Sequence, residues 1–268
     1  MPPSPRDILR NPVRDKLARD EVVASMTVRL VRSIEIARIA ATAGFDSLYV
    51  DLEHSPLSLD ACGQICMAAL AAGIAPFVRV PAPGPEWVAR ALDGGALGVI
   101  APHVRGAAEA RAVVAAAKFP PLGHRSAAGG LPHLHYRAFP AAEADPALNE
   151  ATMVVPMVET LAALEAVEEI AAVEGVDLLL IGSNDLTAEM GIPGQFDHPR
   201  LRAAFARTIA AARAHGKHVG IGGLASRPDL VAEFVRMGAR YVSTGTDLGF
   251  LAAACAQQAA RVRALATR

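Results

Sequence analysis

Residues 47–56 read SLYVDLEHSP and bring two carboxylates and an imidazole to the end of an apolar run. Ser47–Val50 suits a buried parallel strand. Asp51, Glu53 and His54 do not suit a core. They suit the lip of a cavity, where the strand fixes their position and their charges reach a ligand. His54 can act as a general base near neutral pH. Arg79, in PFVRVP, can bind a carboxylate or stabilise a developing enolate; the structural alternative is a salt bridge across the mouth. Glu159, in VVPMVET, and Asp185, in IGSNDL, end two further apolar runs. Two hard oxygen ligands, with water in the remaining positions, suit Mg2+, Mn2+ or Co2+ better than a zinc cage. A 2-oxo acid would replace two of those waters through a carboxylate oxygen and its keto oxygen. The alternative for either acid alone is a helix cap. Asp93, beside Gly94 and Gly95, reads from its chemistry as a helix-end residue.

Such residues need elements to hold them, and the chain supplies a regular rhythm. Eight apolar stretches read as strands: Val23–Leu30, Ser47–Asp51, Pro76–Val80, Gly98–Pro102, Thr152–Val158, Asp177–Ile181, His218–Gly222 and Tyr241–Thr244. Helical periodicity fills the intervals, as in Ser33–Ala43, Leu59–Ala72, Pro85–Asp93, Leu161–Val173 and Arg227–Met237. Gly44, Gly73, Gly175, Gly216 and Gly238 each follow such a stretch, where helices commonly end. Eight β/α units predict one α/β domain over 1–268, a (β/α)8 TIM barrel with its site at the strand C-terminal ends. A doubly wound open sheet would want a glycine-rich turn after the first strand, and Leu30-Val-Arg-Ser offers none. The segment 119–150 breaks the rhythm and reads as a lid or a subunit contact. Its His124, His133 and His135 lack further ligands and read as a solvated or interface loop.

Composition narrows the partners. A net charge of −1 and 4% aromatic residues give no footprint for nucleic acid or an anionic membrane. At 52% hydrophobic the 268-residue chain can bury a large core. Cys62 and Cys66 read as small core fillers in a reduced protein, and with Cys255 they form no CxxC pair. The start has no apolar signal region and no stretch reads as a membrane span, so a cytoplasmic protein is expected. No lysine stands at a predicted strand end, which argues against Schiff-base chemistry.

The ordered set DLEHSP, FVRVP, ALDGGALGVIAPHV, PPLGHRS, MVET, GVDLLLIGSNDL and YVSTGTD resembles the HpcH/HpaI aldolase family, from about Val23 to about Leu251. These are class II pyruvate aldolases, such as 4-hydroxy-2-oxoheptanedioate and 2-dehydro-3-deoxyglucarate aldolases, on a phosphoenolpyruvate/pyruvate-type barrel. The resemblance implies a lyase that splits a 4-hydroxy-2-oxo acid into pyruvate, or hydroxypyruvate, and an aldehyde. It implies a divalent cation (Mg, Mn or Co) on Glu159 and Asp185, and His54 as base with Asp93 raising its basicity. Arg79 would stabilise the enolate. The backbone of Gly182, Ser183, Asn184 and Asp185 would hold the pyruvate carboxylate. Asp51 would stand beside the water shell of the metal, leaving Glu53 a supporting residue. A homo-hexamer, a trimer of dimers exchanging the C-terminal helix, is also implied, and the apolar tail Leu248–Leu265 is compatible with it. Met157 stands where the family carries a glutamine, so Asn184 or His103 would have to supply that hydrogen bond. A CoA-thioester lyase of the same superfamily is the rival, with Arg125 and Arg137 as its only basic hints. A barrel that binds a small acid without turnover is a third reading.

Overall fold

The chain begins with two short helices, and then strands and helices alternate around one closed sheet. The strands are β1 (Val23–Val28), β2 (Ser47–Asp51), β3 (Ala75–Arg79), β4 (Gly98–Ala101), β5 (Met153–Val158), β6 (Leu178–Gly182), β7 (His218–Gly222) and β8 (Tyr241–Ser243). This computed structural model describes residues 3–265. The ends of the expected 1–268 domain, 1–2 and 266–268, lie outside the described residues. All eight strands pair in parallel in chain order, and β8 closes on β1, as in a (β/α)8 barrel.

The strands are buried on both faces, as near-continuous apolar runs require. Their outer faces pack on the helices. Inside the barrel, Tyr49, Phe77, Ile100, Met153, Val155, Leu180 and Tyr241 form a separate apolar cluster. Phe77 and Tyr241 stack there with centroids 5.7 Å apart. A Cβ at residue 98 would lie 2.7 Å from the Phe77 ring, so glycine is what lets that ring fill the interior. The filled interior leaves only the rims free for polar work.

Helices Leu59–Ala72 and Pro85–Asp93 match their sequence limits. The expected helix Leu161–Val173 instead breaks at Ala166 into Leu161–Glu165 and Val167–Ala172. Gly44 ends its helix at φ 92°, and its N–H reaches the Ala40 and Ala41 carbonyls, the left-handed cap expected. Cys62 and Cys66 are buried, and all three cysteines are free. Helix Asp247–Ala264 lies exposed from Leu248 onward, including Phe250, Leu251 and Val262. Among the described residues no helix is long and apolar enough to cross a membrane.

The segment 119–150 is no lid. It carries a short turn of helix, Pro132–Leu134, and the start of helix Ala141–Ala151, which leads into the N-terminal end of β5. Phe119, Leu131, Leu134, Ala144 and Leu148 form a satellite core. His133 corrects the expectation of a solvated loop. It is buried, and its Nε2 lies 2.9 Å from the Ala96 carbonyl, whereas His124 and His135 are exposed.

Candidate active site

The C-terminal end of the barrel opens into a cavity of about 490 Å3. Its lining includes Arg29, Asp51, His54, Arg79, Met157, Gly182, Ser183, Asn184 and Asp185. The strands deliver these groups because parallel strands all end at the same rim.

Asp51 is the anchor of the β2 side. It is fully buried, and Arg79 clamps it through Nε to Oδ1 at 2.9 Å and Nη2 to Oδ2 at 2.6 Å. The amides of Glu53 and His54 donate to the same Oδ1 at 3.1 and 3.2 Å. The Ser55 hydroxyl donates to the Asp51 carbonyl. Burial pushes the Asp51 carboxyl up, but the Arg79 guanidinium and these amides win and hold it below the usual carboxylate range. Asp51 therefore fixes the turn that carries His54, a more structural position than the resemblance implied.

Glu53 is more central than expected. Its Oε2 lies 2.8 Å from Arg79 Nη1, at ion-pair distance but without hydrogen-bond geometry. Its Oε1 meets His103 Nε2 at 2.6 Å. His54 Nε2 stands 3.7 Å from Oε2. The His54 side chain is 51% exposed, free to meet a ligand in the cavity.

Glu159 follows β5, almost fully buried, beside Gly182 at the end of β6. A Cβ on Gly182 would lie 2.8 Å from Glu159 Oε2, so glycine makes room for the carboxylate. His103, held at φ 58°, donates its amide N–H to Glu159 Oε1 at 2.7 Å, and its ring Nδ1 stands 3.3 Å from the same oxygen. The His103 ring thus bridges Glu53 and Glu159 and is taken up by acids, not turned to the cavity. Burial raises the Glu159 carboxyl; the His103 amide and ring oppose this, and the charges of Asp185 and Glu53 add to it.

Among the described residues, neither Glu159 nor Asp185 pairs with a lysine or arginine. Two neighbouring carboxylates without a cationic side chain fit a hard divalent cation. No group of three or more His, Cys, Asp or Glu among the described residues has metal-binding geometry, so water and substrate oxygens would complete the shell. That donor set fits a hydrated Mg2+-like ion and not a closed zinc cage. Ser183 Oγ, on the same lining, is buried without a hydrogen-bond partner.

Asp93 is not brought to His54 in this chain. A helix that follows a parallel strand runs back down the barrel, so the C-terminal residue of Pro85–Asp93 ends at the opposite rim. There the buried Arg125 Nη2 holds its carboxylate at 2.7 Å. Arg125 is thereby removed as a basic group at the mouth. The sequence reading also passed over Arg29, the residue after β1. The expected strand Val23–Leu30 runs past it, whereas β1 ends at Val28 and leaves Arg29 at the rim.

The family described as HpcH/HpaI aldolase/citrate lyase matches residues 30–254. The chain is 40% identical to the 4-hydroxy-4-methyl-2-oxoglutarate aldolase cghB of Chaetomium globosum, covering 94% of this chain and 96% of that one. It is 42% identical to the 4-hydroxy-4-methyl-2-oxoglutarate aldolase tasA of Hapsidospora irregularis, covering 90% and 91%. Among solved structures, an HpcH/HpaI aldolase from Desulfitobacterium hafniense superposes with a TM-score of 0.89 at 29% identity, covering 95% and 97%.

Proposed function

The chain belongs to the HpcH/HpaI aldolase/citrate lyase family, and on that premise we propose that its mouth carries out metal-dependent retro-aldol cleavage. The protein is a carbon–carbon lyase that cleaves hydroxy-oxo acids to pyruvate. The observation that carries the metal-dependent reading is the division of the strand C-terminal rim. Among the described residues, two acids without a lysine or arginine partner follow β5 and β6, while an exposed imidazole follows β2 and a clamped arginine ends β3.

Glu159 and Asp185 would hold a divalent cation, which would supply Lewis acidity toward the 2-oxo group. The amides of Gly182, Ser183 and Asn184, with the unpartnered Ser183 hydroxyl, receive the carboxylate of the 2-oxo acid. Asn184 stands in for the glutamine that Met157 replaces. His54 removes the proton of the 4-hydroxyl. The C3–C4 bond then breaks, C4 becomes a carbonyl, and the electron pair becomes the enolate of pyruvate. Arg79, fixed by Asp51 and Glu53, presents positive charge to that enolate without reorganising. Protonation at C3 gives pyruvate. Hydroxypyruvate would fit the same donor half.

Asp93 can raise the basicity of His54 only in a second copy, since its own chain holds it at the far rim. The dyad therefore goes with the expected homo-oligomer, and the exposed apolar face of helix Asp247–Ala264 supports such an assembly with exchanged helices. The free cysteines fit a cytoplasmic location.

The test is pyruvate release from a 4-hydroxy-2-oxo acid. Chelation should abolish it, Mg2+, Mn2+ or Co2+ should restore it, and borohydride with substrate should leave the enzyme active. Covalent trapping on a lysine, or full activity after chelation, would sink this mechanism.

A further inference from the structure

The retro-aldol steps leave one cation of the cavity without a task. Arg29 lies on the lining at the β1 end of the mouth. Its Nε and Nη2 donate to the His54 carbonyl at 2.9 and 2.6 Å, and Nε stands 3.4 Å from Asp51 Oδ2. Nη1 has no hydrogen-bond or ion-pair partner among the described residues. Arg79 differs: Nε and Nη2 are taken by Asp51, and Nη1 faces Glu53 at 2.8 Å. Of the two guanidiniums in the cavity, Arg29 is the one with a free edge.

That edge is also fixed in place. The carboxylate of Asp247 accepts the amides of Arg29, Leu30 and Val31 at 2.9, 3.0 and 2.8 Å. The backbone is tied to the C-terminal helix and the side chain to the His54 turn, so little freedom remains to be lost on binding. In the closed barrel β1 lies across from β5. A substrate whose 2-oxo acid end sits at Glu159, Asp185 and Ser183 therefore extends past Arg79 and His54 toward Arg29.

We propose that Arg29 receives a second carboxylate, borne on C4 of the substrate. This rests on the retro-aldol reading above and narrows its substrate class. The preferred substrates are 4-hydroxy-2-oxo diacids, and the fragment that leaves with C4 is itself a 2-oxo acid rather than a plain aldehyde. Bond changes are those already given: C3–C4 breaks, the 4-hydroxyl proton goes to His54, and the C4 carboxylate stays on the departing carbonyl. A guanidinium edge matches a carboxylate by two parallel N–H donors, a geometry that a methyl group in the same place cannot use.

Binding and turnover test this separately, both with Mg2+ present. 2-Oxoglutarate and 2-oxopentanoate have the same chain length, differ in a terminal carboxylate against a methyl, and lack the 4-hydroxyl, so neither can be cleaved. The wild type should bind the diacid about tenfold or more tightly than the monoacid. Arg29→Gln should erase that preference while binding 2-oxopentanoate within about twofold of the wild type, and Arg29→Lys should keep part of it. A preference that survives Arg29→Gln, or an equal loss for both acids because the His54 turn has moved, would overturn the role of Arg29. Pyruvate release from the 4-hydroxy derivatives of the two acids reads the aldolase assignment itself. No release from either sinks that assignment, and the inference with it. Release without a diacid preference sinks the role of Arg29 alone.

Discussion

The two rims of the barrel hold similar residues to different ends. At the strand N-terminal rim, Lys118 is buried and donates to the Asn149 carbonyl at 2.7 Å and to the Thr152 carbonyl, with Asp177 at 3.7 Å. Asp177 in turn pairs with Arg14 at 2.5 Å and accepts the Val154 amide at 2.8 Å. Arg125 spends itself on Asp93, and His133 on Ala96. These charges close within their own chain, and through Asp93 and Ala96 they tie the 119–150 segment to the residues before β4. At the C-terminal rim, among the described residues, Glu159 and Asp185 meet no lysine or arginine, Ser183 Oγ has no hydrogen-bond partner, and Arg29 keeps a free edge. Burial alone therefore does not mark function. What marks it is a charge whose partners within the chain are incomplete and which faces a cavity.

If this contrast is right, the rims should fail in different ways when changed. Lys118→Met should cost about 3 kcal/mol of stability, because two buried carbonyls lose their donor and Asp177 loses a cation. Turnover per folded molecule should stay within about twofold of the wild type, since the mouth is untouched. Urea unfolding and pyruvate release on the same preparation check both halves. A turnover loss without a stability loss would break the contrast.

A somewhat smaller effect is expected at His133. Burial pushes its imidazole down to about 4, with the Ala96 hydrogen bond opposing and the Arg125 charge adding to the fall. The folded chain therefore binds this proton less readily than the unfolded chain. Stability is fully present above the ordinary histidine value near 6.5 and is lost as pH falls from there toward 4. The loss should reach about 2 kcal/mol by pH 4.5, on the order set by a displacement of this size. Urea midpoints at pH 7 and 4.5 should differ less for His133→Leu than for the wild type by that amount. An unchanged difference would show that His133 does not titrate as a buried neutral group.

Much of the arrangement was legible in the sequence, for identifiable reasons. Ser47–Asp51 and His218–Gly222 were placed to the residue because apolar runs bounded by glycine or charge leave little room for another limit. The strand-end rule found Asp51, Arg79, Glu159 and Asp185 because chain direction alone fixes which rim a parallel strand ends on. The same polarity separates Asp93 from His54, an inference open to the sequence but overridden by motif matching. The side-chain partners were not legible. That Glu53 would join Arg79 to His103, or that His133 would turn inward to Ala96, depends on how loops fold back across the rim. Periodicity carries no information on that. The family had suggested a supporting place for Glu53, but this chain makes it the acid nearest the base.

The central claim is that β5 and β6 supply the cation site while β2 supplies the proton chemistry. Mn2+ binding measured by electron paramagnetic resonance beside pyruvate release tests it directly, on the wild type, Glu159→Ala, Asp185→Ala and His54→Ala. Glu159→Ala and Asp185→Ala should lose both Mn2+ binding and release. His54→Ala should bind Mn2+ like the wild type while its release falls about 1000-fold, within the range a general base contributes. Wild-type Mn2+ binding by Glu159→Ala, or wild-type turnover by His54→Ala, would contradict the account.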